Sequence, residues 1–203
     1  MTTTTLPDGV SQAMVNHLTA NAKYYAHKIL IPEHHQRLVQ NLASVAQTAH
    51  IPPQYIYRYS MADHCTQAEL DWVRTLHSHE DEDCAGLIYE GKQPKLDQRM
   101  MTMAGAFIRN YIDARVYPVQ DIVQMLKRGK KPEGTIILVP NFFLTKENGG
   151  HVATWEVSAL LGWLYDRYGS SQQTVLYVQS LTAVEQEYGT SFKDHIDEHF
   201  QKL

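Results

Sequence analysis

One segment rich in possible metal ligands lies at residues 77–84 and reads HSHEDEDC, with the pair His64-Cys65 upstream of it. Zinc sites take histidine and thiolate ligands at defined spacings, and this spacing fits none of them. On a helix, His77 and His79 would also point to different faces. The sequence therefore favours a solvated acidic loop in front of a strand, and we assign no metal ligand.

A single basic run, KRGKK, occupies residues 127–131. Cations at the C-terminus of a helix are stabilised by the helix dipole, so the run has a structural explanation. The alternative is contact with a nucleic-acid backbone, for which the candidate residues are Lys127, Arg128, Lys130 and Lys131. Three further arginines would extend this surface only if they share its face: Arg99, Arg109 and Arg115.

Composition excludes several classes of protein. The 203 residues are 43% hydrophobic and 20% charged, as in an ordinary globular domain. They include no uninterrupted apolar run long enough to span a membrane, and the start lacks the features of a secretory signal. Two cysteines indicate reduced thiols in a cytoplasmic protein. A net charge of −4 argues against a general nucleic-acid coat protein.

No known catalytic motif supplies a mechanism. The sequence contains no nucleophile elbow, no zincin helix and no dinucleotide-binding fingerprint. We therefore assign no catalytic residue.

An amphipathic helix is predicted over residues 10–30, after a polar tail. Its apolar residues recur every three or four positions, which is helical spacing. They are Val10, Met14, Leu18, Ala22, Tyr25 and Ile29. Pro32 ends this helix, because proline disfavours the helical conformation in the residue before it.

A second amphipathic helix is predicted from Glu33 to about Thr48. The sequence Ile51-Pro52-Pro53 then breaks the chain. We take this break as the boundary between a tail with a helical extension, residues 1–50, and a main domain, residues 51–203.

Strands and helices alternate within the main domain. Apolar runs predict strands at residues 85–89, 114–117, 135–139 and 174–178. Helices are predicted at residues 66–77, 96–111, 118–129 and 155–168, with one or two more from about residue 181 to the C-terminus. The first of these helices opens on residues 66–69 (TQAE), which have the form of a capping box between Thr66 and Glu69. Uninterrupted apolar strands joined by helices are typical of a parallel sheet covered on both faces. The predicted fold class is therefore α/β, a three-layer parallel sheet, with ligands expected at the loops after Tyr89, Val139 and Val178.

The order of these segments resembles the AAA+ domain of DnaC-type helicase loaders and the IstB-like proteins of transposons. The resemblance covers roughly residues 50–200. The family's entry stretch beginning IPP is matched by residues 51–55 (IPPQY), and its strand before the phosphate-binding loop by residues 86–89 (GLIY). Later family features are matched by residues 114–117 (ARVY), 119–126 (VQDIVQML), 136–141 (IILVPN), 164–168 (LYDRY), 173–180 (QTVLYVQS) and 181–189 (LTAVEQEYG). The resemblance implies an AAA+/P-loop-like fold.

The nucleotide-binding motifs of that family are altered here. A P-loop reads Gly-x-x-x-x-Gly-Lys-Ser/Thr, because backbone N–H groups wrap the phosphates while the lysine neutralises them. Counting from Gly91, the second glycine is replaced by Leu96, the lysine by Asp97 and the hydroxyl by Gln98. A carboxylate at the lysine position repels phosphate.

The other nucleotide-binding motifs of the family are also altered. The acidic pair of the Walker B strand is replaced by Pro140-Asn141, and the sensor asparagine by Gln179 or Ser180. Where the family has an arginine near its C-terminal helix, this sequence has residues 193–195 (KDH). We therefore expect a degenerate nucleotide site at Gly91, Lys92, Lys95, Asp97 and Asn141.

The resemblance implies a non-catalytic protein without a cofactor that binds a protein partner, either a replicative helicase or an ATPase subunit. The helical extension would be the partner-binding arm. DNA binding and self-association are further expectations. Two alternatives stay open: an ATPase that uses ATP and Mg²⁺ with Lys92 or Lys95 as its phosphate lysine, and a stand-alone nucleic-acid-binding protein.

Overall fold

The computed structural model describes residues 37–76, 83–143 and 152–203. The helix predicted over residues 10–30 lies outside these ranges. The strands are β1 (Gly86–Glu90), β2 (Ala114–Val116), β3 (Ile136–Val139), β4 (Gln173–Val178) and β5 (Phe200–Lys202). The helices are α1 (Leu42–Ala49), α2 (Gln54–Tyr57), α3 (Met61–His64), α4 (Gln67–Arg74), α5 (Leu96–Arg109), α6 (Val119–Lys127), α7 (Thr154–Gly169), α8 (Leu181–Tyr188) and α9 (Thr190–His199). One further helical turn, residues 37–40, precedes α1.

The strands form a five-stranded sheet in the order β2-β3-β4-β1-β5, with every neighbouring pair parallel. The register is direct: Gly86 lies opposite Thr174 in β4 and opposite Phe200 in β5. The predicted α/β class with a parallel sheet is therefore confirmed.

Helices cover both faces of the sheet. On one face, Leu87, Tyr89 and Leu138 pack with α1 to α5. On the other face, Ile88, Val139 and Leu176 pack with α6 to α9. Neighbouring residues of a strand point to opposite faces, and this is why the strands lack the polar alternation of a half-exposed sheet.

The handedness of the connections determines which face each helix covers. The chain crosses from β1 to β2 through α5 on one face, and then returns through α6 and α7 on the other. Right-handed crossovers require this change of face when the direction of travel reverses. The connection from β4 to β5 continues in the return direction and carries α8 and α9 on the second face.

Several predicted helix boundaries are confirmed by their caps. Thr66 and Glu69 form the predicted capping box at the start of α4, although α4 ends at Arg74 rather than at residue 77. The Pro52-Pro53 break follows α1, whose C-cap His50 has a left-handed φ of 57°.

The prediction of helices up to the C-terminus is wrong for the last residues. Residues 200–202 form β5, which pairs with β1 at the edge of the sheet. A strand of three residues is too short to show a periodicity, and only its pairing with β1 defines it.

Among the described residues, no helix is both long enough and apolar enough to cross a membrane.

Candidate functional site at the carboxyl edge of the sheet

The sheet has a topological switch point between β1 and β4. The chain leaves β1 toward β2 and leaves β4 toward β5, which lies on the opposite side. In open parallel sheets such a point opens a crevice at the carboxyl ends of the strands, where ligands bind. The residues that surround this crevice follow β1, β3 and β4.

The loop after β1 is built from residues 91–95. Gly91 has a φ of 74° and donates its N–H to the Val178 carbonyl at 3.2 Å. The Gln93 side-chain amide donates to the Glu90 carbonyl at 3.1 Å. Lys95 has a left-handed φ of 52° and is the N-cap of α5, but its side chain makes no cap. The loop is therefore shaped by its own backbone and by Gln93.

Glu90, the last residue of β1, caps a neighbouring helix. Its carboxylate accepts the Leu181 N–H at 2.7 Å, at the start of α8. The first N–H groups of a helix lack partners within the helix. Here the protein itself supplies one of those partners from β1, the strand next to β4.

A buried guanidinium holds the loop from inside. Arg99 is 6% exposed, and its Nε lies 3.1 Å from each carboxylate oxygen of Glu69, which is fully buried. Its Nη1 donates to the Gln93 side-chain oxygen at 3.1 Å and to the Pro94 carbonyl at 3.4 Å. The interior of the loop therefore presents hydrogen-bond acceptors to a fixed cation.

Two more side chains complete this network. The Tyr89 hydroxyl donates to Glu69, and burial, followed by the nearby Glu69 carboxylate, raises the pKa of Tyr89. The Cys65 thiol contacts the Arg99 carbonyl at 3.7 Å, and burial raises its pKa to about 12. Tyr89 is a hydrogen-bond donor here, and Cys65 is not a thiolate nucleophile at neutral pH.

This arrangement differs from that of a phosphate-binding loop. A phosphate loop turns backbone N–H groups inward and adds a lysine, whereas this loop turns the Pro94 carbonyl and the Gln93 side-chain oxygen toward Arg99. The exposed Asp97 carboxylate stands in the first turn of α5, where an anion would otherwise be favoured by the helix N-terminus.

Three of the five residues predicted for the degenerate nucleotide site line two adjoining clefts. Lys95 and Asp97 line a cleft of about 550 Å³ together with Tyr55 and Tyr177. Asp97 also lines the next cleft, of about 520 Å³, together with Asn141. Gly91 and Lys92 belong to the same loop but line neither cleft. In the described ranges, the Asp97 carboxylate has no ion-pair partner.

The basic run lies at the opposite end of the sheet. Residues 127–131 begin at Lys127, the last residue of α6, and lead toward the amino end of β3. The Lys131 ammonium is 2.6 Å from an Asp166 carboxylate oxygen, and the Lys127 ammonium is 5.6 Å from the Trp155 ring centroid. Arg128 and Lys130 are exposed, and no described residue forms an ion pair with either. The basic run and the crevice are therefore separate surfaces.

The three additional arginines do not extend the basic run. Arg99 is buried in the loop network. Arg109 donates to the carbonyls of Tyr55, Ile56 and Tyr59 at 2.8–3.2 Å, and so caps the end of α2. Arg115 forms ion pairs with two carboxylates, those of Asp113 and Glu133.

The histidine-rich segment is only partly described, since residues 77–82 lie outside the described ranges. Within those ranges, no group of three or more His, Cys, Asp or Glu residues is arranged to hold a metal ion. His64 lies against the Tyr59 ring at 4.9 Å.

Sequence reasoning missed Glu69 and Arg99 as residues that shape the site. Glu69 was recognised only as half of a capping box. Arg99 stands on the apolar face of α5 beside Met100 and Met103, and a charge on an apolar helix face signals a buried ion pair.

No protein-family model matches the chain, and neither does any curated protein. Among solved structures, the chain is similar to the crystal structure of the DnaC helicase loader. The sequence identity is 11%, the TM-score is 0.46, and the match covers 95% of this chain and 98% of the other.

Proposed function

We propose that this chain is a non-catalytic, AAA+-like protein of the DnaC/IstB type, which acts by binding a protein partner, a replicative helicase or an ATPase subunit. The order of sequence segments over residues 50–200 supports this assignment. The parallel sheet, with its switch point at β1 and β4, agrees with it.

One observation carries the non-catalytic part of the proposal: the loop after β1 is bonded to Arg99. To bind a triphosphate, residues 91–95 would have to release the Pro94 carbonyl and turn N–H groups inward. The freed guanidinium would then remain buried beside Glu69 with fewer acceptors, which is costly. Asp97 would add repulsion at the helix start.

Isothermal titration calorimetry with ATP and Mg²⁺ tests this directly. We expect no saturable binding, meaning a Kd weaker than about 1 mM. Micromolar binding that disappears in Lys92→Ala or Lys95→Ala would instead establish the alternative, an ATPase with an unorthodox phosphate loop. Lys130→Ala, a substitution in the basic run at the opposite end of the sheet from this loop, serves as the matched control.

The partner-binding part is tested with the purified replicative helicase of the source organism. The predicted apolar stripe of residues 10–29 is the proposed contact surface. Met14→Asp places a charge on that stripe, whereas Asn16→Asp places the same charge on the opposite side of the helix. Loss of binding in Met14→Asp alone supports the proposal, and equal binding by both variants contradicts it.

A second candidate is nucleic-acid binding through the basic run, favoured by the exposed Arg128 and Lys130, neither of which forms an ion pair with a described residue. If both contact phosphates, Arg128→Gln combined with Lys130→Gln should lower the salt-dependence slope of DNA binding by about 2. Absence of DNA binding at low salt would exclude this candidate.

A further inference from the structure

Two carboxylates at the carboxyl edge of the sheet have no cation beside them. Asp97, at the start of α5, and Asp121, at the start of α6, both line the cleft of about 520 Å³. Both residues are exposed, and no described residue forms an ion pair with either of them. No lysine or arginine stands among the residues that line this cleft. We call it the acidic cleft, because its charge is not neutralised by its own lining.

The other walls of the acidic cleft suit the stem of a long basic side chain. Met101, Val116, Pro118 and Pro140 give it apolar surface. Arginine and lysine bury their aliphatic stems against such surface while their charged heads reach a polar group. The His50 ring also lines the cleft, and its Nδ1 lies 3.2 Å from the Val116 carbonyl oxygen. The cleft therefore combines apolar walls with carboxylates, the two features that a lysine or arginine side chain requires.

A turn before the amino end of β3 carries the complementary charge. It consists of residues 128–130, whose three N–H groups donate to the carbonyls of Met125 and Leu126 at 2.9–3.0 Å. Gly129 has a φ of 69°, and a Cβ added there would meet no atom beyond its chain neighbours within 4 Å. Arg128 and Lys130 are exposed, and neither forms an ion pair with a described residue. This basic turn is therefore held by its own backbone and projects into solvent.

The basic turn of one copy cannot enter the acidic cleft of the same copy. The turn precedes β3, whereas Pro140 and Asn141 in the lining of the cleft directly follow it. The four residues of β3 alone extend for about 13 Å. Because both surfaces are fixed to opposite ends of one sheet, a contact between them joins two copies of the chain.

We propose that the basic turn of one copy binds in the acidic cleft of a second copy, where Arg128 and Lys130 pair with Asp97 and Asp121. The turn is convex and the cleft is concave, so shape and charge agree. The contact is head-to-tail, and each added copy leaves one turn and one cleft free. This self-association goes beyond the function proposed above and does not depend on a helicase or an ATPase partner.

Sedimentation velocity of the full chain at low ionic strength, over a series of protein concentrations, tests the proposal. The average mass of the wild type should rise with concentration. Arg128→Gln combined with Lys130→Gln, the turn variant, should weaken the association at least about tenfold, because each charge pair loses one partner. Asp97→Asn combined with Asp121→Asn, the cleft variant, should do the same. The matched control, Arg74→Gln combined with Lys202→Gln, removes two exposed cations elsewhere and should associate like the wild type.

A mixture of the two variants tests the direction of the contact. The turn variant keeps an intact cleft, and the cleft variant keeps an intact turn. Together they should form one contact and stop at a dimer, although each remains monomeric alone. The proposal is overturned by a monomeric wild type, by wild-type association of the turn variant, or by a mixture that stays monomeric. A wild type that is monomeric but binds DNA through the basic turn would assign that turn to nucleic acid instead. None of these outcomes bears on the helicase-binding test above, so the two proposals fail separately.

Discussion

The buried ion pair between Arg99 and Glu69 provides the sharpest test of how the loop after β1 is held. The perturbation is Arg99→Met, which keeps the length of the side chain but removes the charge. It leaves the fully buried Glu69 carboxylate without its cation. It also leaves the Gln93 side-chain oxygen and the Pro94 carbonyl without their donor.

The expected loss of stability is large. Two opposite charges about 4 Å apart attract by about 4 kcal/mol at an effective dielectric of about 20. Breaking a buried pair by removing one partner typically costs about 3–5 kcal/mol. Such a loss is a substantial fraction of the free energy of unfolding of a protein domain, which is about 5–15 kcal/mol. We therefore expect Arg99→Met to lower the free energy of unfolding by about 3–5 kcal/mol.

Urea unfolding followed by circular dichroism measures this change. Arg74→Met is the matched control: Arg74 pairs with Asp71 on the surface of α4, where both side chains are more than half exposed, at 67% and 58%. That substitution should cost about 1 kcal/mol or less. Hydrogen exchange at the amides of Gly91, Lys92, Gln93 and Lys95 should become faster in Arg99→Met only.

The double variant Glu69→Gln/Arg99→Met separates the pair from its surroundings. Because the two groups contact each other, the double variant should lose less stability than the sum of the single losses, by about 1–3 kcal/mol. The reasoning is refuted if Arg99→Met unfolds at the wild-type midpoint, or if the two single losses simply add.

The remaining predictions concern packing and pH. A Cβ added to Gly105 of α5 would lie 2.0 Å from the Tyr55 carbonyl oxygen, so Gly105→Ala should cost about 1–3 kcal/mol or more in urea unfolding. Gly162→Ala, in α7, where no described atom outside the local helix backbone lies within 4 Å of the added Cβ, should instead stabilise by about 0.5–1 kcal/mol; the opposite ranking would contradict the packing of α5 against α2. His195 is buried, and burial, followed by repulsion from His199, lowers its pKa to about 4. The unfolded chain therefore binds a proton at His195 more readily than the folded chain does. The free energy of unfolding keeps its full value above pH 6.5 and decreases as the pH falls toward 4, by up to about 3 kcal/mol. In His195→Phe, the midpoint of urea unfolding should depend less on pH across that range. If the midpoint changes equally with pH in the variant and the wild type, His195 is not the cause of the loss of stability at low pH.

Much of the fold follows from local patterns in the sequence. The strand over residues 136–139 is entirely apolar, because it is buried on both faces, and such a run is visible without any tertiary information. The capping box at Thr66 and Glu69 is visible for the same reason, since it depends on residues three apart. The order of strands within the sheet depends on pairing between distant segments, so no local periodicity predicts it.

Some features of the candidate site can likewise be predicted from the sequence, and others depend on the fold. The departure of residues 91–98 from the pattern Gly-x-x-x-x-Gly-Lys-Ser/Thr, with Asp97 among them, is a property of the sequence alone. The position of the basic run at the end of the sheet remote from the crevice is not, because it depends on where α6 ends relative to β3. The partners of Arg99, Arg109 and Arg115 cannot be predicted from the sequence either. All three are arginines, but each donates to different acceptors in the folded chain.

The sequence by itself therefore determined the α/β class, most helix and strand segments and the departure of residues 91–98 from the phosphate-loop pattern, because each of these depends on residue types at short spacing. Only the tertiary structure decided that β5 completes the sheet and that Arg99 holds the loop from inside. Each of these features joins groups that are distant in the chain, such as Glu69 and Arg99, which are thirty residues apart. Their energies come from burial and hydrogen bonding that exist only when the chain is folded.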